Sequence, residues 1–232
     1  MPKTCIKKVY LEIACFNAES ALVAEKAGAD RIELCRGLEF GGLTPELDQV
    51  HYVLSSVLLP VFVMIRPRGG DFFYTLQEFE QMKASITLLK SLGAKGFVFG
   101  ILDEKQGVDK VRNSELVKLA APWPCTFHRA FDRTPDATKA LEDVVNCGFQ
   151  TILTSGHAPD ALQGAGHLKK LIKGASGKIE IMPGGGIRSD NISVLIKKTG
   201  ANYFHSSALL KGETIADESE IKILKKQLST HG

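Results

Sequence analysis

The chain has no Cys-x-x-Cys pair, and its five cysteines (Cys5, Cys15, Cys35, Cys125 and Cys147) are odd in number and widely spaced. That excludes a disulfide framework and a structural zinc site built on cysteine pairs. In a reducing compartment each thiol defaults to a small buried hydrophobe. No apolar run approaches membrane-spanning length, and the segment from Met1 to Cys5 lacks the apolar core of a signal peptide. The expectation is a cytoplasmic protein with no membrane partner. A charge excess is missing too: 29 basic residues face 26 acidic ones, the net charge is +3, and no basic run occurs. Nucleic acid is therefore not expected as a partner. Neither a Gly-x-Gly-x-x-Gly pattern nor a Gly-Lys-Ser/Thr P-loop is present, so there is no nucleotide cofactor motif.

What is present is apolar material for a full core, 44% hydrophobic over 232 residues. Short, continuously apolar runs read as strands over Val9–Cys15, Arg31–Cys35, Val61–Arg66, Gly96–Ile101, Cys125–His128, Thr151–Thr154, Ile179–Met182 and Tyr203–His205. Continuous rather than alternating runs are the mark of strands buried on both faces of a parallel sheet. Helical segments follow them, over Ala18–Ala27, Glu46–Ser56, Leu76–Leu92, Asn113–Ala120, Pro135–Cys147, Asp160–Lys173, Asn191–Lys198 and Glu218–Leu228. Gly28, Gly93, Gly148 and Gly200 each end a helix just before a strand, where the chain needs a positive φ. Strand–helix units of about 29 residues predict an α/β fold, a single (β/α)8 TIM-like barrel domain spanning residues 1–232. A doubly wound open sheet is the alternative, weakened by the missing nucleotide fingerprint.

In such a barrel chemistry gathers where strands run into the following loops. Those positions hold Cys15, Cys35, Arg66, His128, Arg129, Asp132, Ser155, Gly156 and His205, with Glu12 and Glu33 slightly deeper. Buried carboxylates are costly unless paired, so Glu12 and Glu33 call for partners, with Arg66, His128 and Arg129 as candidates. Asp132, on the loop after His128, is spaced to orient its imidazole. Gly184, Gly185 and Gly186 lie between a strand and a helix, with Ser189 and Asp190 offering N-cap chemistry. Backbone amides there can surround an anion. With Ser155, Gly156, Ser206 and Ser207, and a short helical turn expected at Ser206, they form a candidate anion cradle. Glu12, Glu33, Arg66, His128, Asp132 and His205 would then act on a small phosphorylated or carboxylated molecule as a lyase, isomerase or hydrolase. His51, His157 and His167 read as surface residues.

Cys15 and Cys35 end adjacent strands about 5 Å apart, a spacing that suits a low-coordinate soft ion such as Cu(I). Strand parity complicates the pair. Glu33 and Cys35, two apart, point the same way; Glu12 and Cys15, three apart, do not while their strand stays regular.

The runs 11–15, 28–35, 41–45, 65–72, 126–132, 153–156, 182–187 and 204–208 resemble the CutC copper-homeostasis family, most specifically in Arg66-Pro-Arg-Gly-Gly-Asp-Phe72 and Phe127-His-Arg-Ala-Phe-Asp132. The resemblance covers about residues 9–208. It implies a (β/α)8 barrel, a cytoplasmic location (nuclear too in eukaryotic members), a homo-oligomer such as a dimer or tetramer, and a copper ion bound as Cu(I) by Cys15 and Cys35. Only 25 residues follow Ser207, a shorter tail than such proteins usually carry.

Overall fold

The computed structural model describes residues 8–230, which leaves Cys5 outside the described residues. Eight strands alternate with eight helices: β1 Tyr10–Cys15, α1 Ala18–Lys26, β2 Arg31–Leu34, α2 Leu47–Ser56, β3 Val61–Met64, α3 Leu76–Ser91, β4 Gly96–Phe99 and α4 Lys110–Ala120 make the first half. The second half is β5 Cys125–Phe127, α5 Ala137–Cys147, β6 Thr151–Thr154, α6 Ala165–Ala175, β7 Glu180–Pro183, α7 Ile192–Thr199, β8 Tyr203–Ser206 and α8 Glu218–Ser229. All strand pairs are parallel, and β1 is paired on both sides, to β2 and to β8. The strands follow one another in sequence from β1 to β7, with β8 beside β1 and packed against β7, so the doubly wound open sheet is removed.

One seam of the barrel lacks a backbone ladder among the described residues, that between β7 and β8. Side chains close it instead. Ser206 Oγ donates to the Ile187 carbonyl, and Arg188 donates to Ser206 Oγ and to the Leu209 carbonyl. The barrel is nearly closed by hydrogen bonds and fully closed by packing.

Residues alternate between two cores. Leu11, Ile13, Cys15, Ile32, Leu34, Val63 and Phe97 join the large apolar cluster shared with the helices. Cys35, Phe62, Met64 and Val98 form a smaller cluster inside the barrel. Each fully buried aliphatic or aromatic side chain contributes about 1.5–3 kcal/mol, so the outer layer carries most of the stability. Gly96 shows how tightly the interior is filled: a Cβ there would lie 2.5 Å from the ring of Phe62, its register partner on β3. Only glycine lets that ring fill the barrel.

Several boundaries differ from the sequence reading. Helix α4 begins three residues earlier than expected because Asp109 caps it, accepting from the Arg112 amide. The expected N-cap at Ser189–Asp190 is not made: α7 starts after Asn191, and Ser189 instead donates through its amide and hydroxyl to Glu220 of α8. Residues 160–164 form turns before α6 rather than its first turn. No helical turn starts at Ser206, which ends β8 as a strand residue.

Candidate active site in the barrel mouth

Strand pairing brings Arg31, Glu12 and His205 to one level, since Glu12 is the register partner of Arg31 on one side and His205 on the other. Arg31 Nε donates to Glu12 Oε2 at 2.5 Å, and His205 Nδ1 lies 2.7 Å from Glu12 Oε1. Burial acts to raise the Glu12 carboxyl, but Arg31 and His205 outweigh it and hold it at about 2. The expected partners Arg66, His128 and Arg129 are not used here. Arg31 was the residue missed, although its position two before Glu33 places it on the inward face of β2.

Glu33 sits one step closer to the mouth, level with Ala14. It is 3% exposed, its Oε2 is 3.9 Å from His205 Nε2, and its Oε1 has no hydrogen-bond partner among the described residues. Burial, with the Glu12 charge adding to it against His205 and Arg31, raises it to about 7. His205 is raised as well: burial opposes its charge, but Glu33 and Glu12 prevail.

The other polar residues of the mouth hold the loops. Arg66 donates through Nη1 to the carbonyls of Phe40 and Gly42 and through Nη2 to that of Gly70. It pins two loops rather than balancing a carboxylate. Asp132 does not orient His128. It accepts from Thr154 Oγ1, from the amides of Ser155 and His157, and from Arg129 Nε. Burial alone would raise Asp132, but those donors hold it below the usual range. The Gly156 amide donates to Thr154 Oγ1. The amides of Ser155 and Gly156, expected to hold an anion, are thus already taken, as is that of Gly184, which donates to the Thr154 carbonyl.

His128 is buried at 4% exposure, with Nδ1 accepting from the Ala130 amide and Nε2 without a partner among the described residues. That bond assigns the proton to Nε2. Burial and then Arg66 push the imidazole down to about 3, so it is a neutral N–H donor at ordinary pH.

Gly185 and Gly186 adopt φ of 101° and 73°, the left-handed region that glycine enters freely. Among the described residues neither amide donates a hydrogen bond, and neither does that of Ser207. A Cβ on Gly185 would meet Arg129 Nη1 at 3.2 Å, so the guanidinium lies directly against this turn. Ser206 and Ser207 accept from Arg188, and Arg129 Nη2 donates to Ser155 Oγ. Arg188 stands two residues after the last glycine of the motif, the signal that could have brought it into the candidate set. Glu33, Arg66, His128, Arg129, Gly185, Gly186, Arg188, His205, Ser206 and Ser207 all line one cavity of about 220 Å³, with Phe16, Met64 and Phe72 among its apolar walls.

The two cysteines are divided by the sheet. Strand β1 stays regular through Cys15, which packs with the outer cluster, whereas Cys35 belongs to the interior one. Their thiols donate to the carbonyls of Ile13 and Cys15 respectively. Burial, then the charges of Glu33 and Glu12, push the Cys15 thiol up; for Cys35 burial leads and Glu33 follows. Cys35 has another soft neighbour: a Cβ on Gly42 would lie 3.2 Å from Met64 Cε and 3.6 Å from Cys35 Sγ. Glu12, Glu33 and His205 are close enough to share a cation, with one ligand atom from each within 4.8 Å of the others. Glu12 is already committed to Arg31 and His205, and this oxygen and nitrogen set suits harder ions than Cu(I).

A family model described as the CutC family matches residues 9–210. The human copper homeostasis protein cutC homolog is 49% identical over 198 residues, covering 85% of this chain and 72% of that protein. A Treponema denticola protein named as family protein CutC is 43% identical over 208 residues, covering 90% of this chain and 85% of its own length. A crystal structure of a candidate copper homeostasis protein CutC from Streptococcus agalactiae superposes with a TM-score of 0.81 at 31% identity, covering 86% of this chain and 98% of that one. A phosphoribosylanthranilate isomerase from Pyrococcus furiosus shares the fold alone, with a TM-score of 0.65 at 14% identity, covering 96% of this chain and 99% of the other.

Proposed function

Because this chain belongs to the CutC family, we propose that it works in copper homeostasis, with Cu(I) as its cargo at the C-terminal ends of β1 and β2. The observation that carries this reading is the match over residues 9–210, together with relatives named for copper homeostasis. Two soft-ligand sets are open to the ion. In the first, Cys15 and Cys35 clamp it, and the end of β1 must turn to bring the Cys15 thiol through to the inner face. In the second, Cys35 acts with the Met64 thioether, which already borders it in the interior. Both give low-coordinate sulfur ligation of the kind that selects Cu(I). Burial holds both thiols protonated, so copper must displace a proton and its affinity rises with pH. The family resemblance also supports a cytoplasmic homo-oligomer. Among the described residues, no helix is long and apolar enough to cross a membrane.

An anaerobic Cu(I) competition titration on wild type, Cys15→Ser, Cys35→Ser and Met64→Leu tests the reading. Wild type is expected to take one ion per chain, and Cys35→Ser to lose it. A parallel loss in Cys15→Ser assigns the clamp, and one in Met64→Leu assigns the interior pair. Binding that survives Cys35→Ser overturns the site.

A further inference from the structure

We propose that the barrel mouth is a proton-transfer site for a small organic anion, a phosphorylated or carboxylated carbonyl compound. The Gly185–Gly186 turn and Arg129 would hold the anion, while Glu33 and His128 face the reacting carbons. This proposal does not rest on the copper reading, which uses other side chains.

The two halves of such a site are present in one cavity. At one end lie backbone amides with no acceptor among the described residues, in a turn of positive φ, with Arg129 Nη1 against it. Converging N–H groups and a guanidinium are what a phosphate or carboxylate requires. At the other end two buried side chains each keep one polar atom without a partner among the described residues, Glu33 Oε1 and His128 Nε2. An unpaired polar atom costs stability when buried, and both residues line the cavity. The opening is small, about 220 Å³, which limits the ligand to a short carbon chain with its charged group.

The two side chains play complementary parts. Glu33 lines the cavity with Oε1 free of any hydrogen bond among the described residues, open to take a proton. His128 stays neutral and presents an N–H, the arrangement that polarises a carbonyl. In the step, the C–H bond next to the carbonyl breaks and its proton passes to the Glu33 carboxylate. The bonding pair forms a C=C bond and the carbonyl pair moves onto oxygen, which accepts from His128 Nε2–H. Return of the proton to carbon restores the carbonyl. Nothing is oxidised or reduced and no co-reactant is consumed.

Two measurements on the full chain test this. Thermal stabilisation by inorganic phosphate and by phosphoglycolate reads the anion end; deuterium exchange into dihydroxyacetone phosphate in D2O, followed by NMR, reads the proton transfer. Wild type should be stabilised by both anions and should catalyse exchange. Arg129→Met should weaken anion binding at least tenfold, and Arg129→Lys, which keeps the charge if the first variant misfolds, should restore part of it. Glu33→Gln should keep the anion affinity and lose exchange at least a hundredfold, while Glu218→Gln, remote from the cavity on α8, should keep both. Absence of stabilisation of wild type by either anion overturns the proposal, as does exchange undiminished in Glu33→Gln. Stabilisation by Zn2+ alone, lost in Glu33→Gln, would overturn it in favour of a cation site.

Discussion

Glu12 and Glu33 lie on neighbouring strands, both turned into the barrel and both almost fully buried, yet they are held in opposite states. Glu12 shares its level with Arg31 and His205 and stays ionised, at about 2. Glu33, one step nearer the mouth, has only the distant edge of the imidazole and is pushed to about 7. Two residues of strand offset separate a structural carboxylate, whose oxygens are both engaged, from one with an oxygen free and a proton to exchange. Burial alone decides neither: the level at which the cation sits decides both.

The contrast is easiest to break at Arg31. Arg31→Met leaves Glu12 buried beside only a histidine, and by analogy with other broken buried pairs should cost about 3–5 kcal/mol, read as a lower urea midpoint. Acid should break it next. The Glu12 carboxyl is depressed in the fold, so its contribution, of order 3 kcal/mol, is full above the unfolded value of 4.5 and is lost as pH falls toward about 2. Denaturation midpoints taken from pH 5 to pH 2 should fall over that window (about pH 4.5 to 2). For Glu33 the sign reverses. Its carboxyl is raised, so between the ordinary value of 4.5 and about 7 the unfolded chain loses a proton the fold retains, and stability falls as pH rises. Glu33→Gln should abolish that decline and raise stability at pH 8 by up to roughly 3 kcal/mol. A stability loss in this variant would make Glu33 a structural partner of His205 instead. The smallest effect is expected at Glu218. Its carboxyl is also lowered to about 2, by Lys222 and then Lys26, but these pairs lie in solvent. Glu218→Gln should leave the denaturation midpoint unmoved within error.

The fold was readable because its signals are local. Each strand is a short apolar run, the turns after α1, α3, α5 and α7 place a glycine where φ is positive, and the units follow one another without interruption. Where the reading slipped, a remote side chain had intervened. Ser189 looks like a cap for the helix beside it, but Glu220 of α8 takes both its donors. The Ser155 and Gly156 amides look open to an anion, but Asp132 and Thr154 occupy them. Arg66 looks like the countercharge of a buried acid, but three loop carbonyls claim it.

The sequence by itself determined the eight strand–helix units, the membership carried by residues 66–72 and 127–132, and the strand ends at which polar groups collect. Periodicity and turn chemistry act within a few residues, so they survive in a linear reading. Which polar groups meet was decided only by the tertiary structure. Barrel closure sets the register between β8, β1 and β2, and that register gives Glu12 hydrogen bonds from Arg31 and to His205 while leaving Glu33 only the 3.9 Å approach of the imidazole. The same regularity of β1 carries Cys15 to the outer face and leaves Cys35 inside. A pairing energy depends on distances between strands that lie, for β1 and β8, nearly the whole chain apart, and no local pattern encodes it.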